Sequence, residues 1–245
     1  MPEAYKRWIA CGDNHGDMID PVAKRAFFDF LKWFKPQIRV HLGDCFDFRA
    51  LRRGAGDEEK REPVREDVDA GLDFLAKMQP TAFLRGNHDE RLWDFAINSR
   101  NAFLQDFCAG YASEISKAVN CPMLPYDKRK GVYQIGRLKV IHGYNTGIYA
   151  ARMAAQAYGS CIMGHVHAVD SFSIPGIEPR EGRAIGCLCK LDMDYNRAQL
   201  NTLRQGHGFA YGLVFPNGNY SIWQAREIDG AWVFPSEFKV WRATA

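Results

Sequence analysis

The segment RVHLGDCFD, residues 39–47, joins a short apolar run to Gly43-Asp44-Cys45-Phe46-Asp47. Arg39 to Leu42 reads as a strand, so Asp44 and Asp47 fall just past its end, where the active sites of α/β sheets form. Four more clusters repeat the arrangement outward along the chain: Asp13-Asn14-His15, Gly86-Asn87-His88-Asp89, His142-Gly143 and Gly164-His165-Val166-His167. Each follows its own apolar run, at Trp8 to Cys11, Thr81 to Leu84, Leu138 to Ile141 and Cys161 to Met163. The clusters hold five of the seven histidines, and their side chains are expected to collect along one edge of a sheet.

These residue types define a chemistry. Asp, Asn and His offer oxygen and nitrogen donors that suit Mn, Fe, Co, Zn or Ni better than Ca or Mg, and no Cys occupies a ligand slot. Asp13 and His15 are two apart, as are His165 and His167, so in an extended strand end both members of each pair face one centre. Seven ligands with one bridging carboxylate would give each of two ions four protein contacts. That leaves room for a shared hydroxide and for substrate oxygens, with the ions about 3.5 to 4 Å apart. Two divalent ions, two aspartates and a hydroxide sum to about +1, a centre that attracts phosphate.

The order Asp-x-His, Gly-Asp-x-x-Asp, Gly-Asn-His-Asp, His-Gly, Gly-His-x-His closely resembles the calcineurin-like metallophosphoesterase superfamily, over residues 13 to 167 of 245. The resemblance implies that Asp13, His15, Asp44 and His167 bind one metal and that Asp44, Asn87, His142 and His165 bind the other, with Asp44 as the bridge. It also implies that His88 contacts the phosphoryl group and protonates the leaving oxygen, and that Asp47 orients His88. Histidine suits that acid role because its ordinary pKa lies nearest neutrality. The cofactors implied are two divalent transition-metal ions, manganese first, with iron, zinc, nickel and cobalt as alternatives.

One position departs from the pattern. Many phosphatases of the superfamily carry an Arg directly after the second Asp of Gly-Asp-x-x-Asp, whereas Phe48 stands here and Arg49 follows one place later. Arg49, Arg85, Arg91 and Arg100 are open candidates for substrate contact. Tyr126-Asp127-Lys128-Arg129-Lys130 is basic and begins with an aromatic, a combination useful for phosphate backbones and stacked bases, and Tyr144 and Asn145 follow His142. The leading expectation is a phosphodiesterase acting on a nucleotide or nucleic acid through a metal-activated hydroxide. The alternatives are a phosphomonoesterase, including a protein phosphatase, and a non-catalytic metal-binding scaffold.

With 245 residues, 47% hydrophobic, the chain can bury one substantial core, and a single domain over 1–245 is expected. A net charge of +3 does not by itself imply a nucleic-acid partner. The N-terminus lacks a signal-peptide apolar stretch and no run approaches 18 apolar residues, so a cytoplasmic protein with no membrane partner is expected. Seven cysteines, an odd number, read as reduced thiols, and a lone Cys187-Leu188-Cys189 lacks the second ligand pair of a zinc site.

Helices are expected at 21–34, opened by Pro21, and at 63–78, with apolar positions at Val64, Val68, Leu72 and Leu75. The segment 49–67 balances six basic against six acidic residues, and its 49–62 part reads as a charged surface loop. Residues 209–215, 220–225 and 231–240 read as hairpin strands around Pro216-Asn217-Gly218 and Asp229-Gly230. A second sheet packed on the first, flanked by helices, gives a four-layer αββα sandwich of two mixed β-sheets. The dinuclear metal site would lie at the C-terminal ends of the strands.

Overall fold

A computed structural model describes residues 5–178, 180–191 and 200–235. Strands β1 (Lys6–Cys11), β2 (Ile38–His41), β3 (Ala82–Leu84) and β4 (Met123–Leu124) run parallel, side by side. A second sheet is built from β5 (Tyr133–Ile135), β6 (Leu138–Ile141), β7 (Cys161–Met163), β8 (Val169–Ile174) and β9 (Arg180–Ile185), in the order β5-β6-β7-β9-β8. Within it β6, β7 and β9 are parallel and the two edge strands antiparallel.

The C-terminal strands do not supply that second sheet. β10 (Gly208–Val214) pairs antiparallel with β1, and β11 (Trp223–Ile228) and β12 (Ala231–Trp232) extend the first sheet beyond it. The strand expected over 231–240 stops at Trp232 within the described residues, and 236–240 lie outside them. The two sheets meet face to face in one apolar layer, where Trp8, Val40, Leu42 and Leu84 pack with Leu138, Val140, Ile162 and Ile185. Each fully buried Leu, Ile or Val side chain contributes about 1.5–3 kcal/mol.

Helices cover both outer faces. α1 (Pro21–Phe34) is capped by the Asp20 carboxylate, which accepts from the Val22 and Ala23 amides, with Pro21 at its first turn. Its Phe27, Phe30 and Phe34 pack on Ile9, Phe209 and Tyr211 of the first sheet. The charged stretch after Asp47, expected as surface loop, holds a short helix, α2 (Asp57–Arg61). It sits within local ion pairs, Arg52 to Glu59 and Arg49 to Glu62. α3 (Val64–Met78) begins after Pro63, and α4 (Asn87–Asn98) and α5 (Ala102–Ala118) follow β3. The last two go beyond the sequence expectation, because the buried stripe Cys108, Ala112 and Ile115 of α5 is interrupted on the surface by exposed Phe103 and Phe107.

On the far side, α6 (Ala150–Tyr158) lays Ala150, Ala151, Ala154 and Ala155 against the second sheet. Among the described residues no helix is long and apolar enough to cross a membrane. Gly182 in β9 permits the close approach of α6, since a Cβ there would stand 2.0 Å from the Ala151 carbonyl oxygen. Gly182→Ala is therefore expected to lose about 1–3 kcal/mol by overpacking, which lowers Tm by roughly 2–4 °C per kcal/mol in a chain of this size. A calorimetric Tm equal to wild type would show that the helix does not seat on this strand as described.

Candidate metal centre

All five sequence clusters sit just beyond strand C-terminal ends. β1 leads to Asp13 and His15, β2 to Asp44 and Asp47, β3 to Asn87 and His88, β6 to His142, and β7 to His165 and His167. The clusters do not continue as extended strand, contrary to the sequence expectation. Asp13 (φ 54°), His15 (49°), Asp44 (49°), His165 (68°) and His167 (54°) all adopt left-handed backbone. In residues with a Cβ this costs about 1–2 kcal/mol each and persists only where surrounding bonds hold it. Those bonds run between loops: Asp13 N donates to Gly43 O (2.9 Å), His15 N to Asp44 O (3.0 Å), and Leu188 N and Cys189 N to Asp13 O.

The nine predicted site residues come together. Asp44 is central: its Oδ1 accepts from the His88 amide at 2.8 Å, while its Oδ2 lies 3.3 Å from His142 Nε2 and 4.0 Å from His15 Nε2. On one side His15 Nε2 is 3.1 Å from His167 Nε2, which lies 3.4 Å from Asp13 Oδ1. On the other, His142 Nε2 is 3.1 Å from Asn87 Oδ1, and the His142 and His165 rings are 5.2 Å apart. The sheets are tied across this gap by His142 Nδ1 to Leu42 O (2.9 Å) and by the His165 amide to Asp13 Oδ1 (2.9 Å).

Electrostatics follow from burial. Burial pushes the His142 and His167 imidazoles down, but neighbouring groups, chiefly Asp44 for the first, and Cys187 and Asp13 for the second, override it and raise both to about 9. Burial and the nearby His142 instead lower His165 to about 4. Burial opposes ionisation of Asp47 too, yet hydrogen bonds from His15 Nδ1 (3.0 Å) and His88 Nδ1 (2.7 Å) hold it well below the usual carboxylate range. His88 is lowered, by burial first. Three groups of side chains, His15-Asp44-His88, Asp44-His142-His165 and His15-His167-Cys189, bring donor atoms close enough to hold a metal ion. Nitrogen and oxygen donors dominate them, and two carry the same Asp44 carboxylate.

Several supporting residues escaped the sequence reading. Asp67, counted there in a solvated charged segment, is buried on α3 and accepts from the Asp47 amide (2.9 Å) and the Phe48 amide (2.7 Å). Its spacing of three from Val64 and four from Gly71 places it on the inner stripe of α3, a signal the charge count obscured. Asp89 likewise accepts from the Phe46 and Gly86 amides. His41 accepts from the Gly43 amide on Nδ1 and so donates from Nε2 to Asn14 Oδ1 at 2.7 Å, which bolts the first two loops together. Cys189 places its Sγ 3.6 Å from His167 Nδ1, although the sequence reading kept every cysteine out of the site. Cys45 packs in the core, as expected.

The arginine candidates separate. Arg49 pairs with Asp17 (2.6 Å), Glu62 and Asp47 (3.5 Å), and Arg85 pairs with Glu90 while stacking on Trp93. Arg91 reaches both members of the His88–Asp47 pair, donating to the Asp47 carbonyl at 3.1 Å and lying 3.0 Å from His88 Nδ1.

Two mixed sheets flanked by helices, with His/Asp clusters able to hold metal at their shared edge, define a metallophosphoesterase-like α/β protein. The calcineurin-like phosphoesterase family profile matches residues 6–152, more than half of the chain, and the chain belongs to that family. That family binds divalent metals and acts on phosphoesters. No curated protein sequence matches the chain. Similar solved structures include Vacuolar Protein Sorting 29 from Cryptosporidium parvum, 12% identical, covering 94% of this chain and 96% of that one at a TM-score of 0.48. An archaeal phosphodiesterase is 11% identical, with 89% and 99% covered at 0.41. The phosphoesterase YfcE from E. coli is 14% identical, with 89% and 97% covered at 0.42.

The two amides held by Asp67 give a graded test. Asp67→Ala leaves both buried donors without an acceptor, at about 1–3 kcal/mol each, whereas Asp67→Asn keeps one acceptor oxygen and is expected to lose roughly half as much. Urea denaturation of the three proteins checks the order, and equal stability of the Ala variant and wild type would remove Asp67 from this role.

Proposed function

We propose that the chain hydrolyses phosphodiesters of a nucleotide or nucleic acid, using two divalent transition-metal ions, manganese foremost. In this reading Asp13, His15, Asp44 and His167 hold one ion and Asp44, Asn87, His142 and His165 the other. The observation that carries it is the position of Asp44 Oδ2 between His15 Nε2 and His142 Nε2, one carboxylate oxygen facing both half-sites. Such ions, when bound, lower the pKa of water and draw charge from phosphoryl oxygens.

The remaining work belongs to side chains of the chain itself. His88 donates through Nδ1 to Asp47, so that when the ring takes up a second proton it is Nε2–H that faces the leaving alkoxide and can pass that proton to it. Asp47 stays ionised, fixes the ring's orientation and favours its protonated form. Arg49, next to the position where many phosphatases of the family carry an Arg, is engaged by Asp17 and Glu62, which supports a diester substrate.

His88→Ala is expected to retain its metals while turnover of bis-(p-nitrophenyl) phosphate with added Mn falls by roughly 10²- to 10⁴-fold. Elemental analysis beside the assay checks both halves, and metal loss in this variant would contradict the role. A clear preference for p-nitrophenyl phosphate over the diester would favour a phosphomonoesterase. Loading has its own signature. His142 and His167, raised to about 9, are protonated at pH 7 in the metal-free protein and must become neutral to ligate. Metal uptake at pH 7 should therefore release about two protons, and affinity should climb as pH rises toward 9 and then level. Calorimetry in buffers of different ionisation enthalpy measures the release, and none at all would exclude these two histidines as ligands.

A further inference from the structure

We propose that the turn at residues 127–130 is a phosphate-chain contact of this site, so that the substrate is a single-stranded nucleic acid rather than a free mononucleotide. The inference rests on the diesterase reading above and adds a second point of attachment. The turn starts beside the centre. Tyr126 lies two residues past β4, and its ring meets the His142 ring edge-on at 5.6 Å. Lys128 to Lys130 lie two to four residues further, at most about 7 to 14 Å of extended chain, within reach of phosphates flanking a bond held at the metals.

The turn is held in place. The Asp127 carboxylate accepts from the Arg129 and Lys130 amides at 2.8 and 2.7 Å, and the Gly131 amide closes on Asp127 O at 2.7 Å. Three tyrosine hydroxyls fasten it to its surroundings: Tyr126 to Gly143 O (3.0 Å), Tyr144 to Asp127 O (2.7 Å) and Tyr158 to Lys128 O (2.9 Å). Tyr126 and Tyr144 stack on each other at 5.0 Å. These rings thus brace the turn, and a bound strand meets cations already in position, which spares the entropy of ordering a loop.

Three consecutive cations mark this turn, whereas several other basic residues are neutralised by carboxylates. Arg49, Arg52, Arg65, Lys77 and Arg85 each bridge to a carboxylate. Lys128, Arg129 and Lys130 are exposed and, among the described residues, these three form no salt bridge; with the Asp127 carboxylate in the same turn the net charge is +2. Three unbridged cations on a braced turn suit a repeated anion, and they read backbone charge rather than base identity.

The test is fluorescence anisotropy of a labelled single-stranded DNA with the metal-free 245-residue chain, across a salt series. Wild type is compared with Lys128→Gln/Arg129→Gln/Lys130→Gln and with a charge-matched control, Lys32→Gln/Lys35→Gln/Lys117→Gln, whose cations lie on α1, its C-cap and α5. Each single-strand phosphate contact contributes about 0.7 to the log–log salt slope. The turn variant should therefore bind with a slope shallower by about 2 and roughly 10- to 50-fold more weakly at 0.15 M salt, while the control keeps wild-type affinity. An unchanged slope in the turn variant, or an equal loss in the control, overturns the contact. Wild-type hydrolysis of bis-(p-nitrophenyl) phosphate is measured in parallel, because its absence would sink the diesterase reading independently of the binding result.

Discussion

Five aspartates, at positions 13, 44, 47, 67 and 89, are at most 3% exposed, and an interior of low dielectric does not accept carboxylates that lack partners. Each is therefore built into the hydrogen bonding of a loop. Asp67 and Asp89 receive backbone amides of the 46–48 segment, Asp13 receives the His165 amide, Asp44 receives the His88 amide, and Asp47 receives two imidazoles. Because donors and acceptors come from different loops, no loop holds its shape alone. The left-handed residues stay left-handed for the same reason, and the two sheets stay aligned at this edge through His142 on Leu42 and His165 on Asp13.

Much of this was legible in the sequence wherever local chemistry decides structure. The apolar runs before each cluster became strands, with 138–141 and 161–163 placed to the residue, and Pro21 opened α1. All nine proposed site residues converge in space, and the order of turn residues and donor types made them recognisable. What escaped depends on contacts between distant segments. Whether residues 208–228 join the first or the second sheet is settled by β10 pairing with β1, some 200 residues earlier in the chain, and alternation of apolar residues carries no such address. Asp67 looked like one charge among twelve; helical spacing places it on the inner stripe of α3, but its partners, the Asp47 and Phe48 amides, belong to a distant loop that spacing does not name. The left-handed turns were hidden too, since glycine is their usual marker and here Asp and His adopt them.

The departure at Phe48 has a structural consequence that links these points. Phe48 is itself left-handed (φ 45°), and its buried ring stacks on Phe46 at 5.5 Å beneath the loop. That turn carries the chain outward, so Arg49 reaches Asp17 and Glu62 and lies 3.5 Å from the second Asp47 oxygen. An aromatic that anchors the loop in the core stands where many phosphatases of the family carry an Arg, and Arg49, one place later, clamps Asp17 and Glu62. Asp47 is then restrained on every side. Its amide is held by Asp67, one carboxylate oxygen takes His15 and His88, and the other faces Arg49. With both imidazoles donating from Nδ1 to a single oxygen, both must present Nε2 to the centre. A displacement of Asp47 would therefore misalign a proposed metal ligand and the proposed acid together, so the two functions cannot be tuned apart by changes at this loop.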